Sequence, residues 1–300
     1  MKEGSIGIVI LAGLMVMALM GGLNNSMNGN TGQYNAGITG NQPTNQNQNT
    51  EDIARQVKEL EVKVKDVSVK VQTEVDKETY SPYKGKIKIA YVNRSNDPSY
   101  EYITLRMDTG DTPIKINGWM IKSLSSGNLV TIPKGTKLYF EKTNNSEEDV
   151  YVSSGDVVYI LTGRSPLGIG FKTNKCSGYL SQFQNFIPYL YTSCPIPRNE
   201  NLSSIPAISY NDACLDYIES YPSCRIKTEN LPANWSFECK KFIEEKIGYP
   251  NCVNLHKNDK NFYLREWRLY LNRNSILWKN RREDIVLYDN QGKIVSEIKY

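Results

Sequence analysis

The chain has 300 residues, 39% hydrophobic and 23% charged, which excludes disorder throughout and allows one large domain or two small ones. A formal charge of +4 is too slight to imply a nucleic-acid partner, and a single histidine, His256, leaves little for metal or acid–base chemistry. Twenty tyrosines against seven phenylalanines favour a β-rich fold with half-wet surfaces.

The N-terminal run Ile6–Leu23 holds 18 uncharged residues, close to the ~20 that span a bilayer. Its apolar stretch is too long for an ordinary cleavable leader, and Ala18-Leu19-Met20 is a poor cleavage site. Residues 1–23 therefore read as a signal anchor, a transmembrane helix with the N-terminus inside and the remainder extracytoplasmic. Residues 24–50 carry no charge and are dominated by Asn, Gln, Gly, Thr and Ser, the composition of a disordered linker. In residues 51–80, Ile53, Val57, Leu60, Val64, Val67 and Val71 alternate steps of four and three, as in a heptad repeat. Val62, Val64, Val67, Val69 and Val71 also alternate as in a strand, so both readings stand. A helical stalk is favoured, with a homo-oligomer formed through 51–78 as its partner contact.

From Lys84 onward the pattern is β. Strand-like runs occur at 86–92, 101–107, 114–121, 128–132, 136–140 and 156–161, and again at 267–271, 284–288 and 293–300. Pro, Gly, Asn and Asp separate them, and Asp289-Asn290-Gln291-Gly292 has hairpin-turn chemistry. So many short strands suggest a sandwich.

Residues 173–264 interrupt this pattern and contain all six cysteines. Within them, Cys214–Cys224 and Cys239–Cys252 read as two copies of one unit, a short helix followed by Tyr-Pro-Ser/Asn-Cys. Ser236 is placed to cap the second helix, and Pro222 and Pro250 to stop both. Cysteines outside a membrane form disulfides, and six allow 15 connectivities. The duplication favours the local pairs Cys214–Cys224 and Cys239–Cys252, leaving Cys176–Cys194. Should the helices stay straight, the copies cross-link to each other instead.

The terminal segment carries a resemblance. Leu277, Trp278, Asn280, Arg281, Asp284, Leu287, Asp289, Gly292, Val295 and Tyr300 fall in the pattern that closes a lamin tail domain. Gly118-Trp119, Thr131-Ile132-Pro133 and Gly155-Asp156 resemble that family's earlier turns. The resemblance covers about 84–172 and 265–300. It implies a mainly β, immunoglobulin-like β-sandwich over 84–300, with a non-catalytic accessory or structural role. The Cys-rich helical insertion 173–264 departs from the family and is similar to inserts in membrane-anchored bacterial proteins.

The chemical candidates are sparse. Cys252 and His256 have a ligand-like spacing, but the cysteines lie 18, 20, 10, 15 and 13 positions apart with no paired Cys-x-x-Cys, so disulfides outweigh zinc. His256 has no nucleophile motif beside it, the carboxylate pairs lie in polar contexts, and no phosphate loop is present. The expectation is no enzyme, no metal and no cofactor. Arg265, Arg268, Arg273, Arg281 and Arg282, interleaved with aromatics, form the one candidate patch for an anionic ligand. The whole reads as a membrane-anchored binding or display module at the cell envelope, its partner an envelope polymer or a surface protein. The alternatives are a self-associating coat or an envelope hydrolase built on His256.

Overall fold

The computed structural model describes residues 46–110, 112–141, 144–200 and 212–300, with 46–50 as backbone alone. The expected anchor, 1–23, and most of the linker lie outside the described residues. Among the described residues, no helix is long and apolar enough to cross a membrane. The chain divides into two units, Met1–Val64 and Lys65–Tyr300.

Helix α1, Gln46–Thr79, decides the ambiguous segment in favour of helix and begins before residue 51, inside the expected linker. Glu, Lys and Gln supply good helix propensity along it, which outweighs the valines. Its last turns add side-chain pairs, Lys77 with Glu74 at 2.8 Å and the Gln72 amide donating to Asp76 at 2.9 Å. Just beyond it, Ser81 N–H donates to the Ile294 carbonyl at 2.9 Å, and the Lys293 ammonium donates to the Lys77 carbonyl at 2.6 Å.

Among the described residues eleven strands follow: β1 (Ile87–Asn93), β2 (Tyr102–Met107), β3 (Ile114–Lys115), β4 (Met120–Ser123), β5 (Leu129–Thr131), β6 (Tyr151–Val152), β7 (Val157–Leu161), β8 (Phe171–Asn174), β9 (Tyr263–Tyr270), β10 (Asp284–Tyr288) and β11 (Ile294–Lys299). They form a five-stranded sheet β1-β2-β7-β9-β8, a four-stranded sheet β11-β10-β4-β5 and a small pair β3-β6. Within the sheets every pairing is antiparallel except β7 with β9. Ile89, Ile103, Leu105, Val158, Ile160, Trp267 and Leu269 from the first sheet meet Ile121, Val130, Ile285, Leu287 and Val295 from the second in one buried core. The alternation of apolar residues along each strand puts one face of each sheet into that core.

Several strand expectations shift. The run at 114–121 breaks at Gly118, whose φ of 88° makes a turn between β3 and β4. The expected strand at 136–140 is absent, because Thr136 makes only an isolated bridge to Phe171 while Leu138 and Tyr139 pack elsewhere. The last hairpin falls as expected. Asp289 closes it through its backbone and by accepting from the Gln291 and Lys293 amides at 2.9 and 3.0 Å.

The insert leaves the sheet after Asn174 and returns at Tyr263, close to the expected junctions. It contains helices α2 (Asp212–Ser220), α3 (Phe237–Lys246) and α4 (Tyr249–His256). Ser236 caps α3 as expected, accepting from the Cys239 amide at 3.2 Å. Pro250 does not end the helical segment. It lies in the first turn of α4, where its missing N–H costs nothing, so Cys252 sits inside a helix. In the first copy the equivalent Pro222 is followed by irregular chain, with Cys224 at φ 57°. The repeat in sequence is thus not a repeat in structure.

This breaks the expected local pairing. The bridges are Cys176–Cys252, Cys194–Cys224 and Cys214–Cys239, with Cα separations of 5.8, 5.2 and 6.5 Å. All six cysteines pair, but Cys214–Cys224, Cys239–Cys252 and Cys176–Cys194 do not. Cys239 and Cys252 fall in separate helices, α3 and α4, and Cys224 lies beyond the end of α2, so neither copy is a single helix stapled end to end. Instead α2 and α3 are joined through their N-terminal halves, and α4 is joined to the turn after β8. Gly178 is required beside the second bridge, because a Cβ there would collide with the Cys224 sulfur.

Candidate functional site

The insert makes a second core of its own. Cys176, Phe186, Cys214, Ile218, Cys239, Ile243, Tyr249 and Val253 pack with Leu161, Phe171 and Tyr270, which come from β7, β8 and β9. The insert therefore lies on the face of the five-stranded sheet opposite the first core. This explains why Trp267, Arg268, Leu269 and Tyr270 are buried in succession: odd positions face one core and even positions the other.

Arg268 is the consequence that matters most. It is fully buried, contrary to its expected place in an exposed basic patch. Its Nε donates to Glu266 at 2.6 Å, one terminal nitrogen donates to the Pro188 carbonyl, and the other to the Tyr189 carbonyl at 3.0 Å. The guanidinium also lies over the Tyr159 ring, 5.4 Å from its centroid. Each guanidinium nitrogen is engaged, one on Glu266 of its own strand and two on insert carbonyls, and the buried group is out of reach of an external anion. Arg265, Arg273, Arg281 and Arg282 are exposed, but they are spread over β9, the loop after it and the turn before β10. The run in sequence thus separates into one structural cation and four dispersed ones. The periodicity of β9 signals this only when both faces are covered.

His256 is also tied into the chain. Nε2 lies 3.0 Å from Glu200 and Nδ1 lies 3.0 Å from Asp259, which in turn accepts from the Lys175 ammonium at 2.8 Å. Partial burial pulls the imidazole pKa down, but the two carboxylates outweigh it and the net shift is upward. Neither ring nitrogen faces a hydroxyl or thiol, so this cluster is arranged to hold charge and not to activate a nucleophile. Sequence spacing gives no sign of Glu200, which lies 56 positions from His256. A pH dependence follows. A raised folded-state pKa contributes stability that is complete below about 6.5, the free value, and is lost as pH rises through the folded value. The melting-temperature gap between the wild type and His256→Gln should be larger at pH 6 than at pH 8.5. A gap that widens with pH would contradict the clamp.

Two buried carboxylates fix the turn that carries the C-terminal sequence pattern. Glu101 accepts from the Leu277 and Trp278 amides at 2.8 and 3.1 Å and from the Thr162 hydroxyl at 2.7 Å. Burial raises its pKa despite these donors. Glu283 accepts from the Ser123 hydroxyl at 2.8 Å and from the Lys279 and Asp284 amides at 2.9 and 2.8 Å. Burial alone would raise the Glu283 pKa, but its donors outweigh that and the net shift is downward. Both carboxylates serve as backbone anchors.

Where the insert meets one end of the five-stranded sheet there is an open groove of about 400 Å³. Leu161 and Tyr270 line it from the sheet, Ser99, Tyr100 and Arg164 from two loops, and Asn185 and Tyr189 from the insert. Among the described residues, no three His, Cys, Asp or Glu side chains are grouped to hold a metal ion. No family model matches the chain, and no curated protein matches it.

Proposed function

We propose that this chain is an extracytoplasmic binding and display module at the cell envelope, held to the membrane by residues 1–23. Its folded part is read as an immunoglobulin-like sandwich of lamin tail type, with the disulfide-tied insert as the binding element. The observation that carries the reading is the pairing of all six cysteines, which points to an oxidising compartment. The insert supports it further, because it adds a second core and a groove to a sheet that is already complete. Protease treatment of intact cells tests the placement: the chain beyond about residue 24 should be digested, and free thiols should be absent before reduction. A fully protected chain or titratable native thiols would overturn the reading.

A second reading, self-association into an envelope coat, is favoured by one feature of α1. Ile53, Val57, Leu60, Val64, Val67 and Val71 are each between 42% and 59% exposed, although they fall on heptad positions. A seam of this kind on a lone helix is the pattern that a second copy buries. Sedimentation of the detergent-solubilised chain should show an oligomer, and Leu60→Asp with Val64→Asp should return it to monomer. A monomeric wild type would remove the coat reading and leave the binding module untouched.

A further inference from the structure

We infer that the groove between the sheet end and the insert binds a saccharide bearing a carboxylate. The inference deepens the proposed function and rests on it, because it names the ligand class of that binding module.

The groove has the two chemistries such a ligand needs. Tyr100 and Tyr189 present rings that are 50% and 86% exposed, far more than tyrosines that serve a core. Rings of this kind offer flat apolar area with little side-chain entropy to lose, which suits the C–H face of a sugar. Arg164, Asn185 and Ser99 supply the polar side. The Arg164 side chain makes no ion pair or hydrogen bond among the described residues, so its planar fork is available to a carboxylate. Asn185 offers both a donor and an acceptor, matching a sugar hydroxyl, which needs both. Tyr270 lines the groove from β9, with its hydroxyl buried beside the Arg268 guanidinium. A purely apolar peptide would find no use for these polar groups, whereas a neutral sugar would leave Arg164 without a counter-charge.

The walls are also fixed in advance, which reduces the cost of binding. The buried Arg268 guanidinium holds the Pro188 and Tyr189 carbonyls, so the Tyr189 backbone is anchored while its ring stays in solvent. On the opposite wall, Gly163 lets two backbones approach closely. A Cβ there would lie 2.9 Å from the Ser99 Cα and 3.0 Å from the Pro98 carbonyl. Ser99 and Tyr100 are thereby placed beside Arg164. Arg268 is a positioning residue for this groove, and Arg164 is the cation that meets the ligand.

The test uses the full chain in detergent, with polygalacturonate oligosaccharides as the carboxylated probe and dextran oligosaccharides as the neutral one. Titration calorimetry should show the carboxylated probe binding at least tenfold more tightly than the neutral one. Tyr189→Ala should weaken both by tenfold or more. Arg164→Gln should remove the preference for the carboxylated probe and leave dextran binding unchanged. Tyr191→Ala, a 68% exposed tyrosine outside the groove, should bind as wild type does. Failure of the wild type to bind polygalacturonate, equal binding by Tyr189→Ala, or competition by a proline-rich peptide and not by the sugar would overturn the inference. Retention of the full chain on isolated envelopes is measured alongside. If retention persists while the saccharide results fail, the groove assignment falls and the binding module stands. If retention also fails, the module falls with it.

Discussion

Removing the Cys176–Cys252 bridge by alanine at both positions should cost about 4.5 kcal/mol, the largest effect of any single disulfide in this chain. The bridge joins residues 76 apart, whereas the other two join residues 30 and 25 apart. In the chain-entropy account, stabilisation grows with the logarithm of loop length, giving roughly 3.5 kcal/mol for a loop near 30 residues. Position reinforces this order. Cys176 follows β8 and Cys252 lies in α4, so this bridge ties the end of the insert to its beginning beside the sheet. Because the insert has its own core, the loss should appear as early melting of 176–256 while the two-sheet core persists. Thermal unfolding followed by far-UV and near-UV circular dichroism, with each bridge removed in turn, gives the ranking. If removal of Cys194–Cys224 or Cys214–Cys239 proves costlier than removal of Cys176–Cys252, loop length is not what sets stability here.

The sequence showed much of the framework and little of the insert, and the reasons differ by element. Short alternating runs located most strands because each strand faces one core on one side, so period two survives in the residues. β6 and β8 were missed because they are short and punctuated, at two and four residues. The final hairpin was legible because Asp289 and Gly292 are turn chemistry that acts locally. The insert junctions were legible too, since the cysteines and the composition change together there. Connectivity was not, because it depends on whether Pro250 ends one helix or begins the next. Both uses of proline look identical in one dimension. Arg268 misled for a related reason: a cation between aromatics reads as a surface patch until a second layer covers that face of the sheet. The groove was invisible in sequence. Its residues come from four separate stretches between Ser99 and Tyr270, and no local spacing connects them.

Trp278→Ala should lower stability by about 3–5 kcal/mol, the range for deleting a large buried aromatic side chain. The ring is 2% exposed and packs in the core shared by the two large sheets. That core cannot easily collapse around the gap, because the backbone of the Trp278 turn is pinned from two directions. Glu101, on the strand side, holds the Leu277 and Trp278 amides. Glu283 holds the Lys279 amide and, through the Ser123 hydroxyl, ties the turn to the end of β4. A rigid frame keeps a cavity open, and an open cavity adds its own cost to the lost burial. At roughly 2–4 °C per kcal/mol for a domain of this size, the melting temperature should fall by about 10 °C. Unlike loss of the long disulfide, this change should destabilise the sheets first, so the amide protons of β4 and β10 should exchange faster before those of α4 do. A variant that melts within a degree or two of the wild type, or that loosens only the insert, would show that the ring does not hold the two sheets together.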